Sequence, residues 1–204
     1  MSQLIFGTPV QKASSVVFVP MKMVALSHRS EEEEFKINPP PLPIEYFSRN
    51  LYSDEAKYNL IMKCNNINFK RFMMNIDHTI KSWISGHGKE LLEENSNRLC
   101  DMRQYTYKGP LKLDNNTGER YADDDAKLYV SVDENTEIIV ENGEKSYTIE
   151  ENFKRTDCVS CVLICDGIYI VNKKTCSMKL RAEKCVVTKE NYRYSYNFVD
   201  SDSD

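Results

Sequence analysis

Apolar residues along the chain fall into two spacings, one helical and one extended. Phe69, Phe72, Met73, Ile76, Ile80, Trp83 and Ile84 recur every three or four residues, which predicts one amphipathic helix over Ile67–Ser85 with this stripe facing a core. Asn65 or Asn66 is suited to cap its start, and Gly86 to end it. Glu90–Asn95 extends the helical pattern weakly. Elsewhere the pattern is β. Leu4–Phe6 predicts a short strand. Ser15–Leu26 predicts a longer one, which Pro20 should confine to an edge or bend with a bulge. Lys57–Cys64 is another strand. From Ala126 the β pattern is continuous: Leu128, Val130 and Val132 alternate with Lys127, Tyr129 and Ser131. A turn at Asp133–Thr136 leads into Glu137–Val140, and Asn142-Gly143 predicts a hairpin into Lys145–Ile149.

The densest segment is Cys158–Val187. An apolar run, Cys158–Cys165, meets Asp166-Gly167, which reads as a hairpin turn into Ile168–Val171. A polar bend at Asn172–Lys174 precedes one long strand, Thr175–Val187. In that strand Cys176, Met178, Leu180 and Ala182 share a core face, leaving Ser177, Lys179, Arg181 and Glu183 on a wet one.

Between these elements, Glu31–Glu34, Asn115–Gly118 and Asp123–Asp125 read as loops. Pro39, Pro40, Pro41 and Pro43 stiffen a connector in polyproline conformation, a linker rather than an SH3-type ligand. The expected organisation is one domain over 1–199, with N-terminal strands, Pro-rich loop and helix in 1–125 and the main β core in 126–188. An acidic tail, 200–204, follows. No apolar run approaches the ~18 residues of a membrane span, and the first residues lack the pattern of a secretory signal.

Charge changes the picture more than size does. The net charge is −4, but ten of the 31 carboxylates sit in Glu31–Glu34, Asp123–Asp125 and Asp200, Asp202 and Asp204. Without those runs the remainder is net +6, so the overall balance does not argue against a polyanionic partner. Seven cysteines, an odd number, read as reduced thiols packed as small apolar groups in an intracellular compartment.

The catalytic chemistries find little support. Cys158 and Cys161 form a CxxC, yet no second pair of similar spacing follows, and on a strand the two thiols face opposite ways, so neither zinc nor a redox motif is expected. The three His residues have no partner at metal-ligand spacing, and GxSxG, HExxH, P-loop and GxGxxG motifs are absent. The expectation is no enzyme, no metal and no cofactor.

A run of strands with one helix upstream suits an α+β fold: an OB-type Greek-key β-barrel with an N-terminal helix and Pro-rich elaboration. Such barrels hold single strands through lysines on phosphates and aromatics on bases. The residue types are in place. Lys127 and Tyr129 alternate outward on one strand, and Lys145 and Tyr147 on another. Tyr169, Lys179 and Arg181 follow on the last strands, with Lys173 and Lys174 at a loop tip. Arg103, Tyr105 and Tyr107 form a further basic–aromatic stretch. The tail, DSDSD, is suited either to occupying a basic groove in its own chain or to recruiting replication proteins; a solubilising terminus is the plainer reading.

Residues 128–148 and 161–187, with Gly167-Ile168-Tyr169-Ile170 leading through a polar bend into a long strand, resemble the C-terminal core of OB-fold single-stranded-DNA-binding proteins of large double-stranded-DNA viruses, the African swine fever virus type included. The order of first strand, Pro-rich stretch and helix is also similar. Met178 or Leu180 stands where a stacking aromatic is expected from that resemblance. It implies sequence-independent binding of single-stranded DNA, with RNA left open, in viral replication, repair or recombination in the host cytoplasm or nucleus. The alternative is a viral structural or protein-interaction protein with a β-rich core.

Overall fold

The computed structural model describes residues 2–25, 33–50, 57–88, 91, 105–112, 126–140, 145–146, 153–155 and 157–189. Fifteen strands and one helix lie among them. Five strands close on themselves. β6 (Leu42–Arg49) pairs β7 (Tyr58–Lys63), which pairs β9 (Lys127–Val132). β9 runs parallel to β15 (Arg181–Thr188), β15 pairs β12 (Cys158–Ile164), and β12 returns to β6. The result is a five-stranded closed barrel with one helix, an α+β arrangement consistent with the OB type. Two of its strands come from residues 42–63, so the barrel draws on the N-terminal half of the chain as well as on 126–188.

Alternation explains the barrel interior. On β9, Leu128, Val130 and Val132 are buried while Lys127, Tyr129 and Ser131 are only partly so. Across the seam Leu60, Met62 and Cys185 are fully buried. β12 is buried along nearly its whole length because it also carries β5 (Lys36–Ile37). There Cys161 lies directly opposite Cys185, with the sulfurs 3.6 Å apart. β10 (Glu137–Val140) continues beside β15, and β11 (Lys145–Ser146) pairs it antiparallel, as a hairpin about Asn142-Gly143 requires; 141–144 themselves lie outside the described residues.

A second sheet shares the core of the barrel. β13 (Gly167–Val171) lies between β14 (Thr175–Met178) and β3 (Val16–Ala25). β1 (Ser2–Phe6), β2 (Val10–Ala13) and β4 (Glu33–Glu34) pair β3, and β8 (Thr106–Lys108) runs parallel to β14.

The expected Asp166-Gly167 hairpin is not formed. β12 and β13 do not pair; the dipeptide carries the chain from the barrel into the second sheet, and Gly167 lies so close to β3 that a Cβ there would run into the Val19 carbonyl oxygen. The long Thr175–Val187 strand is also divided. It bends at Lys179-Leu180 and returns to the barrel, while its expected two faces persist through the bend. Pro20 sits inside β3 rather than on an edge; its carbonyl accepts from the Gly7 N–H, so the missing N–H faces the break between β1, which pairs β3 from Met21 on, and β2, which pairs it up to Phe18. Glu33–Glu34 form a short strand instead of a loop.

α1 (Ile67–Gly86) starts at Asn66, whose side chain accepts from the Phe69 N–H at 2.9 Å. Its buried face holds Phe69, Met73, Ile76, Ile80 and Ile84. Phe72, expected among them, lies at the margin of the stripe and is 45% exposed. α1 meets the second sheet at two points: Trp83 stacks on Phe6 of β1, and the buried Asp77 accepts from the Tyr107 hydroxyl of β8 at 3.0 Å.

Candidate nucleic-acid interface

Strand register places two aromatic rows on the outside. Across the second sheet Val10, Phe18, Tyr169, Ser177 and Lys108 stand opposite one another on five successive strands. The Phe18 and Tyr169 rings meet at 5.0 Å between centroids, tilted by 46°. Lys12 places its ammonium 5.4 Å from the Phe18 centroid, and Lys179 places its own 5.2 Å from that of Tyr169. Both distances lie within cation–π range. The neighbouring residues of opposite parity, Val19, Ile168, Ile170, Cys176 and Met178, are buried, which turns this row outward.

The second row crosses the barrel. Tyr46, 55% exposed, stands beside Ile61, and Ile61 beside Tyr129. The Lys112 ammonium sits 5.2 Å from the Tyr129 centroid. One step along these strands Lys63 opposes Lys127, and one step the other way Asn59 opposes Ser131, which pairs Arg181. Arg181 joins the rows, since Lys179 and Arg181 follow each other on the wet side of the chain that bends from the second sheet into the barrel. Its guanidinium lies 3.6 Å from the Asp166 carboxylate. Burial pushes the Tyr169 hydroxyl's pKa up and Asp166 adds to this, while Lys57 and Arg181 pull the other way, so all four groups share one local field.

Chemically, the face offers π surfaces with ammonium groups over them, which suits stacked bases flanked by phosphates. In OB barrels the outer face of the second and third strands, with the loops that flank it, receives oligonucleotides. Here those strands are β7 and β9, and β13–β14 is the hairpin between the fourth and fifth strands.

Of the expected residues, Lys127, Tyr129, Tyr169, Lys179 and Arg181 come together on this face. Lys173 and Lys174 lie at the β13–β14 turn, where Asn172 and Lys173 both have positive φ and the Lys174 N–H bonds to the Val171 carbonyl. Tyr105 and Tyr107 do not join the face. Both pack against the core, and Thr106 and Lys108 point outward in their place. Lys145 lies on β11, across β10 from β15. Tyr147, Arg103 and the acidic tail are outside the described residues. Phe18, Lys12, Tyr46, Ile61 and Lys112 were not expected. Tyr46 is hidden by a bulge between Ile44 and Tyr46 that breaks the alternation, and Phe18 by apolar neighbours on both sides.

No protein-family model and no curated protein sequence matches the chain. Solved structures do. The structure of gp2.5, a single-stranded DNA binding protein encoded by bacteriophage T7, superposes with a TM-score of 0.51 at 11% identity, covering 84% of this chain and 99% of that one. The single-stranded DNA-binding protein from bacteriophage Enc34 in complex with ssDNA superposes with a TM-score of 0.50 at 12% identity, covering 90% and 95%. At such identities the likeness is one of fold, and the chain folds like these two phage proteins along most of its length.

Proposed function

We propose that this protein binds single-stranded DNA without sequence preference and acts in viral DNA replication, repair or recombination. The observation that carries the reading is the pair of lysine-flanked aromatic rows, one on the second sheet and one on the outside of the closed barrel, with Arg181 between them. The likeness to two phage proteins described as single-stranded-DNA-binding supports it. Tyr169, Phe18 and Tyr129 would stack on bases; Lys12, Lys112, Lys179 and Arg181 would move from their present partners to phosphates. Every base has a π face, so this mode is tolerant of sequence and gives RNA no evident barrier. The role is binding without catalysis, at the viral replication site in the host cytoplasm or nucleus. The acidic tail serves either as a competitor for the basic face or as a contact for replication proteins.

The test is a titration with labelled oligo-dT at low and high salt. Saturable binding that weakens with salt is expected, because each phosphate contact releases counterions. Tyr169→Ala and Tyr129→Ala should each weaken it by roughly 1–3 kcal/mol. A label is preferable to intrinsic tryptophan emission, since the single Trp83 is stacked between Phe6 and His87, at 4.5 and 4.3 Å, on α1. The second reading, a structural or protein-interaction role, rests on Ile67, Phe72 and Met74 of α1, which are 43%, 45% and 46% exposed. Absence of any salt-sensitive shift would favour it.

A further inference from the structure

We propose that Glu45 is an internal competitor for phosphate that sets how tightly the barrel face holds a nucleic-acid strand; this rests on the single-strand-binding reading. The bulge in β6 is the origin. Ile44 faces into the barrel opposite Met62, and Tyr46 stands outside beside Ile61; the extra residue between them puts the Glu45 carboxylate outside as well. There it meets two lysines that directly oppose each other on β7 and β9. Lys127 donates to Glu45 Oε1 at 2.9 Å, and the Lys63 ammonium is 3.8 Å from Oε2. Like charges facing each other across a strand pair repel. A carboxylate between them relieves that repulsion, and so would a phosphate. The Lys63–Lys127 pair is therefore a two-ammonium phosphate clip, one residue pair beyond the Tyr129 row, already occupied by a side chain of the same charge sign as the ligand.

A strand stacked on Tyr129 brings its phosphates to this clip and must displace Glu45. The exchange replaces one ion pair with another, so these two lysines add less affinity, and fewer released counterions, than their number implies. Removing the carboxylate's charge while keeping its shape should free the clip.

The experiment compares oligo-dT binding by the full chain, Glu45→Gln and Glu45→Ala across a salt series. Glu137→Gln is the control. Glu137 pairs with Lys184 at 3.3 Å away from the aromatic rows, and its loss changes the net charge by the same single unit. Both Glu45 variants should bind about two- to fivefold more tightly at low salt, the scale of one partly exposed ion pair. Their log–log salt dependence should steepen by about 0.7, the increment of one phosphate contact on a single strand. Glu137→Gln should match the parent chain. An unchanged or weakened affinity in both Glu45 variants, with the parent chain binding, would overturn the proposal and leave Glu45 a structural brace. Equal tightening in Glu137→Gln would overturn it too, by assigning the gain to net charge. If the parent chain and every variant fail to bind, the single-strand-binding reading falls and the competitor role with it.

Discussion

Among the described residues the cysteines are the most uniform group. Cys64, Cys158, Cys161, Cys165, Cys176 and Cys185 are all buried and unbridged. Burial raises the Cys165 thiol to about 12 and Cys64 to about 11, and Cys161 is raised by its hydrogen bond with Cys185 and by burial. Thiolate is the reactive form, so these groups should be nearly inert while the barrel is intact. Labelling with a thiol-specific disulfide reagent should proceed slowly at these six positions in the native protein and rapidly after denaturation. Fast native labelling at Cys161 or Cys185 would show that the β12–β15 seam opens readily. The aromatic residues follow a different logic. In the proposed interface Tyr169 and Tyr129 are half covered, each with one lysine held against the ring. Tyr107 has the same composition of neighbours, with Lys81 5.0 Å from its ring, but its hydroxyl is committed to Asp77 and it serves packing.

At the level of elements, the turn chemistry of Asp166-Gly167 is better understood as a crossing than as a hairpin. Gly167 faces the β3 backbone so closely that any side chain must push the strands apart. Gly167→Ala should destabilise the fold by roughly 3 kcal/mol or more, in the range of overpacking and backbone strain, measured by chemical denaturation. A cost under 1 kcal/mol would mean that the second sheet shifts freely on the barrel. The same crossing shows what could be seen in advance. The alternation of β9, the wet and dry faces of 175–188, and α1 with its cap at Asn66 were legible because each is a local pattern. Neighbour order was not: nothing in Val16–Ala25 says that its lower half pairs β13 and its upper half β1. The short strands β2, β4 and β5 carry too few residues to show a period. Half of the aromatic rows was therefore missed, because Phe18 and Tyr46 reach the face through pairing and a bulge.

For the whole molecule, the relevant balance lies between a basic face and an acidic chain end. The last five residues carry three carboxylates in a protein of net charge −4. A chain ending at Val199 should bind oligo-dT more tightly, with the difference shrinking as salt rises, if the tail competes for the face. Equal affinity in both forms would assign the tail to partner recruitment or solubility. Closure of the barrel has a further consequence for crowding. A protein that coats a strand stands shoulder to shoulder with its own copies, where exposed sheet edges would join neighbours into fibres. Here the five barrel strands hydrogen-bond in a ring, and the outermost strands among the described residues, β1, β2, β4, β5, β8 and β11, run for two to five residues. Copies lined up along one strand, as the proposed function would have them, would thus present each other with side chains rather than open sheet edges.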